Sequence, residues 1–374
     1  MSRARALLLV IAMTIGACEP SATPAGGSDF AVLAKAAEGY SQARPGRALD
    51  FPRDHGAHPD FRIEWWYLTA NLQGADGRDY GAQWTLFRSA VRPPGSFAAA
   101  NPWQSEQVYM AHFALTWPDG HRAFQRYARG GLHGDEARAG AVAEPFAAWL
   151  DDWTLASSGP DWLPLEVRAT QDEHALQLVL DTDQPLLLQG EAGFSQKHPN
   201  GAGSHYYSQP FLQASGEVRI NGQRIAVSGK AWLDREWSSQ FLQPDQAGWD
   251  WFALHLDSGE KLMLFRLRGL PRGVQPGSAY RHGVLISAGG GKQLLDPDLI
   301  QLQVLQREHV FGRLLPLAWR IELPQIGRSM TVAALHPNQW MDVDFPYWEG
   351  VVTVSGDNAG SRGTGYLEMT GYTQ

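Results

Sequence analysis

Two short stretches concentrate side chains that could do chemistry. Asp234-Arg235-Glu236-Trp237 places two carboxylates one residue apart. In extended chain, positions 234 and 236 point to one face and position 235 to the other. Asp234 and Glu236 could therefore serve one substrate as acid and base, or Arg235 could pair with a carboxylate such as Glu64 and lock two domains together. Glu64-Trp65-Trp66-Tyr67 is the second stretch. Its rings would close one end of a barrel, and a carboxyl beside two indoles would be partly desolvated, with a raised pKa. Both stretches are candidate ligand contacts, through Glu64, Trp65, Trp66, Tyr67, Glu236 and Trp237. Other chemistries find little support. His55, His58, His112 and His205 lack a spacing such as His-Glu-x-x-His, so neither metal nor cofactor is expected. No Gly-x-Ser-x-Gly elbow is present. Gly289-Gly290-Gly291-Lys292 is followed by Gln and reads as a turn, not a phosphate loop.

The elements that must position these groups are strands. Trp65 to Leu72 is rich in β-formers and stops at Gly74-Ala75-Asp76-Gly77, and Tyr80 to Val91 returns. Val108–Trp117 and Arg122–Tyr127 follow, then Leu165–Ala169 with Ala175–Leu180. Gly216–Ile220 and Arg224–Gly229 flank Asn221-Gly222, whose residue types suit a type I′ turn. Few segments carry an apolar stripe of helical period. Fifteen Trp with forty Gly suits short strands whose large rings pack sheet interiors. An internal echo is present. Glu64–Arg88 and Gly248–Arg266 both read as Trp-rich strand, Gly turn, apolar strand and Arg. Gly229–Asp234 likewise rhymes with Gly363–Glu368. The pattern predicts an all-β chain with tandem antiparallel barrels, one over 48–235 and one over 236–374.

The N-terminus points to export. Arg3 and Arg5 precede an apolar run over Leu7–Ile15, too short to span a bilayer, which leads to Ile15-Gly16-Ala17-Cys18. This tetrad resembles the bacterial lipobox, which implies a signal peptide over 1–17 and a lipidated Cys18. Cys18 is the only cysteine in 374 residues, which excludes an intrachain disulfide or a Cys-based zinc cluster. Residues 18–47 are expected to form a flexible tether, with one short helix near Phe30–Tyr40. The formal charge of −8 becomes −10 without the two arginines of the leader (−8 − 2), and no basic block stands out. Nucleic acid is therefore not an expected partner.

At Phe51-Pro52-Arg53-Asp54-His55-Gly56-Ala57-His58-Pro59-Asp60, running into Glu64-Trp65-Trp66-Tyr67, the chain resembles the AttH-like predicted secreted hydrolases, relatives of carotenoid 1,2-hydratase (hydroxyneurosporene synthase). Further blocks agree: Gly203–Ser208, Gly229–Gln240, Tyr347–Gly350 and Gly365–Tyr372. The resemblance covers 51–374 and implies two lipocalin-like barrels. It also implies a site. The hydratases pair His-x-Trp with Tyr-x-Asp 27 residues after the His, and here His205-Tyr206-Tyr207 precedes Trp232-Leu233-Asp234 by 27 residues (232 − 205). His205 and Asp234 carry over directly, while Tyr207 and Trp232 exchange the aromatics, which moves the only hydroxyl. A buried, protonated Asp234 would protonate a C=C bond, and aromatic faces would stabilise the cation. In the competing use, Trp232 and Tyr207 pack a barrel and Asp234 pairs with Arg235. The expected function is a lipid-anchored envelope protein at the periplasmic face, with the outer membrane favoured. It would bind an apolar, lipid- or isoprenoid-like ligand inside a barrel and act on it as a hydratase or hydrolase. The alternative is a non-enzymatic accessory of an ABC-type envelope transporter.

Overall fold

The computed structural model describes residues 38–96, 105–130, 137–270 and 279–372. The leader, Cys18 and residues 18–37 of the expected tether lie outside them. The strands fall where apolar alternation puts them. Ile63–Gly74 and Asp79–Ala90 form the first hairpin. Gly203–Ile220 and Gln223–Ser238 turn through Asn221 (φ +49°) and Gly222 (φ +79°), the paired left-handed conformation of a type I′ turn.

The strands build two antiparallel sheets, of thirteen and ten strands. The first runs from Gly120–Arg129 through Asp79–Ala90, Ile63–Gly74, Gln223–Ser238 and Gly203–Ile220 to Ala139–Ala143. It curls into a nearly closed barrel, with the Arg126 guanidinium 4.3 Å from the Trp153 ring centroid across the gap. The second sheet, from Lys292–Leu295 to Gln301–Val310, is a half-barrel. The echo is structural. In the first sheet the closing strand Gln223–Ser238 lies between the leading strand Ile63–Gly74 and the flanking strand Gly203–Ile220. In the second, Gly363–Met369 lies between Gln246–Leu256 and Tyr347–Ser355. The first sheet ends at Ser238 and the second starts at Gln246, so Glu236 and Trp237 belong to the first barrel.

Neither barrel is hollow where a ligand was expected. Trp66, Leu68, Trp84, Phe113 and Trp153 fill the first interior. Phe252, Leu254, Trp319, Trp348 and Leu367 fill the second. Each such ring or aliphatic chain gains roughly 1.5–3 kcal/mol by burial, so these interiors are packed cores. The outward faces of the two leading hairpins meet instead, joined by Trp232, Trp251, Met263, Phe265, Val351 and Tyr366. Tyr366 donates to the Ala82 carbonyl at 3.1 Å, and Asn71 donates to that of Gly365 at 2.9 Å. Gly81 permits this approach, since a Cβ there would lie 2.3 Å from Val351 Cγ2.

The last part of the expected tether is docked. Tyr40 donates to the Ala90 carbonyl at 3.2 Å, the Ser41 amide to that of Asp60 at 2.9 Å, and Arg47 pairs with Asp54 at 2.8 Å. Residues 38–47 therefore belong to the folded body.

Candidate active site between the barrels

Strand register decides which side chains meet. On the closing strand, Asp234 lies opposite Tyr67 on one side and Ser208 on the other, and Glu236 lies opposite Trp65 and Tyr206. Directly opposed residues share a face. This face looks away from the first barrel's core and bounds a cavity of about 160 Å³ at the seam. The first barrel supplies Trp65, Tyr67, Phe87, Met110, His112, Tyr206, Asp234 and Glu236, and the second supplies Trp249, Trp251, Phe265, Leu267, Tyr347 and Glu368. Lys197 and Phe241 complete one side.

Acids stand among these rings. Asp234 is 3 % exposed. Tyr206 donates to its Oδ2 at 2.8 Å, Trp232 Nε1 to its Oδ1 at 2.8 Å, and Ser208 also to Oδ1. Burial outweighs these donors and, with the charge of Glu236, raises the carboxyl to about 7. Glu236 accepts from Ser204 and pairs with Lys197 at 2.8 Å. The Lys197 ammonium lies 4.2 Å from the Phe265 ring centroid, and burial lowers its pKa against the pull of Glu236. Across the cavity, Trp249 Nε1 donates to Glu368 Oε1 at 2.6 Å. Burial, reinforced by Asp234 and Glu236, raises Glu368 to about 8. Glu349, directly opposite Glu368, accepts from Tyr67. Burial and then the neighbouring Glu368 push it well above the carboxylate range. His112 shares a hydrogen bond with the Tyr347 hydroxyl at 3.0 Å, and burial holds its pKa near 4, so its ring is neutral at pH 7. Neutral carboxyls against aromatic faces can give a proton to an apolar substrate and shield the resulting cation.

The structure does not bring His205 to Asp234. His205 and Tyr207 lie opposite Trp237 and Arg235, on the other face of the sheet. A β-bulge is the cause. From the Asn-Gly turn the register runs unbroken to Leu212 opposite Ala231, and extended further it would set Gln209 opposite Asp234, with His205 on the same face. The register shifts between Gln209 and Leu212, so Ser208 takes that place. Pro210 lies within the shift; proline has no N–H for a ladder and is confined to edges and bulges. One extra residue sends every later side chain to the opposite face. His205 packs near Phe61 and Trp237, with its pKa lowered to about 4 by burial and then by Arg47 and His58. Tyr207 hydrogen-bonds His55 Nδ1 at 2.7 Å.

The same face holds a buried ion network. Glu64 pairs with both Arg88 and Arg235, and His58 Nδ1 lies 3.1 Å from its Oε2. The expected raised pKa is corrected. Burial works upward, but Arg88 and then Arg235 hold Glu64 well below the ordinary range. The Arg235–Glu64 pair forms as one alternative anticipated, yet both residues belong to the first barrel, so it locks that barrel and not two domains. Trp66 lies in the first core under the Arg235 guanidinium, and Trp237 stacks on His58 at 4.0 Å. Of the proposed ligand contacts, Trp65, Tyr67 and Glu236 face the cavity, and Glu64 borders it with its carboxylate turned to the arginines. Trp232 stands behind Asp234 as a hydrogen-bond donor. No metal-ligand cluster occurs among the described residues.

The residues missed were Tyr206, Lys197, Trp249, Trp251, Glu349 and Glu368. The echo contained a signal for three of them, since Trp249 and Trp251 occupy the places of Trp65 and Tyr67, and Leu367-Glu368 that of Leu233-Asp234.

The AttH-like family profile matches residues 42–372. The chain belongs to the AttH-like family. It is 36 % identical to a protein from Nitrosomonas europaea assigned as an AttH, whose crystal structure covers 89 % of this chain and 100 % of its own, with a TM-score of 0.76. Kievitone hydratase from Nectria haematococca is 15 % identical, with 90 % of this chain and 98 % of its own covered and a TM-score of 0.61. CghA in complex with Sch210972 is 12 % identical, with 91 % and 98 % covered and a TM-score of 0.51. These last two share the fold. No protein of curated function matches by sequence. In this AttH-like protein, then, two barrels with filled cores enclose an acid-bearing aromatic cavity at their seam.

Proposed function

We propose that this AttH-like protein binds an apolar, unsaturated small molecule at the seam between its barrels and adds water to, or removes it from, a carbon–carbon double bond. The observation that carries this reading is Asp234, a carboxyl brought to about 7 in a cavity walled by Trp65, Tyr67, Trp249, Trp251 and Phe265. A hydrolase with a serine elbow finds no support, and a hydratase working through His205 loses its geometric basis. The packed barrel interiors favour a purely accessory lipoprotein, but such a role gives no reason to bury acids around a cavity. Export and lipidation at Cys18 belong to the same proposal, with the body held at the periplasmic face of the envelope. Cys18→Ser should move the protein from the membrane fraction to the soluble one, and unchanged fractionation and processing would refute anchoring.

The ligand reading is tested with geraniol and farnesol. Binding is followed by tryptophan fluorescence and hydration by gas chromatography. Saturable quenching is expected. Asp234→Asn should keep binding within about twofold while turnover falls by about 10²–10⁴-fold, the usual contribution of a general acid or base. Absence of quenching and of product from both alcohols would overturn the reading.

A further inference from the structure

The repeated unit places Asp234 and Glu368 at equivalent points of the two barrels. Each lies on a closing strand opposite an aromatic of the leading strand, Tyr67 for Asp234 and Trp251 for Glu368. Both line the cavity. The copies have diverged around them at two places. On the flanking strand, Asp234 faces Ser208, which donates to it, whereas Glu368 faces Glu349, a second buried carboxyl. Two residues earlier on the closing strand, Trp232 donates to Asp234, whereas Tyr366 turns its hydroxyl to the Ala82 carbonyl. Tyr206 is the third donor to Asp234, and among the described residues Trp249 donates to Glu368. Donors favour the anion and nearby negative charge disfavours it: Asp234 has three donors against the charge of Glu236, whereas Glu368 has Trp249 against the charges of Asp234 and Glu236, so Asp234 gives up its proton before Glu368 does.

We infer that Glu368 is the proton donor and Asp234 the proton acceptor of the water addition, an assignment that rests on the hydration reading above and reverses the role first expected of Asp234. The Trp249 indole can only donate, so Glu368 Oε1 is an acceptor and the acidic proton sits on Oε2. In hydration, the Glu368 O–H bond breaks and its proton forms a C–H bond with the alkene π electrons. The cation left on the neighbouring carbon takes the oxygen lone pair of water, and the proton lost from that oxygen passes to the Asp234 carboxylate. Transfer of that proton back to Glu368 through water restores the starting state. Dehydration is the same sequence reversed. The two titrations are linked, because ionised Asp234 itself helps keep Glu368 protonated.

Infrared spectroscopy of the full-length protein tests the assignment through the C=O stretch of neutral carboxyls, titrated from acid to alkaline pH. Glu368→Gln should remove the neutral-carboxyl band that is lost at the higher pH and leave the Asp234 band in place, whereas Asp234→Asn should remove the band lost at the lower pH and, through the linkage, move the Glu368 band to lower pH; the Glu349 band remains in both. Ser208→Ala, which leaves both acids in place, should raise the Asp234 titration by about 0.5–1 pH, the equivalent of one lost hydrogen bond. Loss of the higher-pH band in Asp234→Asn, or of the lower-pH band in Glu368→Gln, would overturn the assignment. Geraniol and farnesol binding is measured on the same samples. If neither quenches tryptophan fluorescence, the hydration reading fails whatever the infrared result; if they bind and the infrared losses are reversed, only the donor and acceptor roles fail.

Discussion

Holding Asp234 ready for proton transfer has a cost that stability measurements can read. The carboxyl titrates at about 7 in the fold against an ordinary 3.8. At roughly 1.4 kcal/mol per tenfold change in acidity, that difference corresponds to about 4 kcal/mol, a large part of the 5–15 kcal/mol typical of folded proteins. The sign follows from proton binding. Between pH 4 and 7 the folded state holds a proton on Asp234 that the unfolded chain has released, so stability falls as pH rises through this window. The penalty is absent below about 4 and complete above about 7. Asp234→Asn removes it and can keep most of the hydrogen bonds: its amide oxygen accepts from Ser208 and Trp232, and its NH₂ donates to a reoriented Tyr206 hydroxyl. Urea denaturation at a series of pH values should show the variant gaining on the wild type by about 2–4 kcal/mol from pH 4 to pH 8. Parallel curves over that range would mean that Asp234 is an ordinary ionised carboxylate, and the argument for a poised acid site would fall with it.

Three further outcomes separate the cores from the seam. Trp66→Ala should cost roughly 3–5 kcal/mol in urea denaturation, through lost burial and a new cavity in the first core. Trp251→Ala should cost less, because its ring already borders a cavity, and should weaken geraniol binding instead. His205→Gln should leave ligand binding and turnover within about twofold, since its ring faces away from the cavity, and a hundredfold loss of turnover would restore it to the site. Glu64→Gln should destabilise by about 3–5 kcal/mol, because Arg88 and Arg235 are each about 1 % exposed and would be left without their carboxylate. A loss under about 1 kcal/mol would refute the account of that network.

Features set by local chemistry were legible in the sequence. The Asn221-Gly222 hairpin, the Gly turns and the echo of the leading hairpins need only alternation and turn residues to be seen. What was hidden depended on parity. Reading back from Asn221-Gly222, unbroken pairing puts His205 on the face of Asp234, and a single bulge near Pro210 reverses the answer. Proline inside a strand was the available warning. The location of the cavity was hidden for another reason. Leu68 and Tyr67 are adjacent and both buried, one in the first core and one at the seam. Composition cannot distinguish a face turned to its own barrel from one turned to another. Glu64 was misjudged because its neighbours in sequence are indoles, whereas its partners in space are guanidiniums 24 and 171 residues away.

Because the cavity is walled by both barrels, it has an order of assembly. A chain made from its N-terminus can complete the first barrel once Ser238 is available, with Asp234 on an outer surface open to water. The strand carrying Glu368, Gly363–Met369, follows all the other described strands in the chain. Domains fold largely as units, the N-terminal one first, so the cavity closes only after the first barrel has formed. A chain cut short anywhere after Ser238 and before Gly363 can keep a folded first half while lacking the other wall. Such fragments should resist proteolysis as far as the first barrel and bind no ligand, because the wall that carries Glu368 is missing.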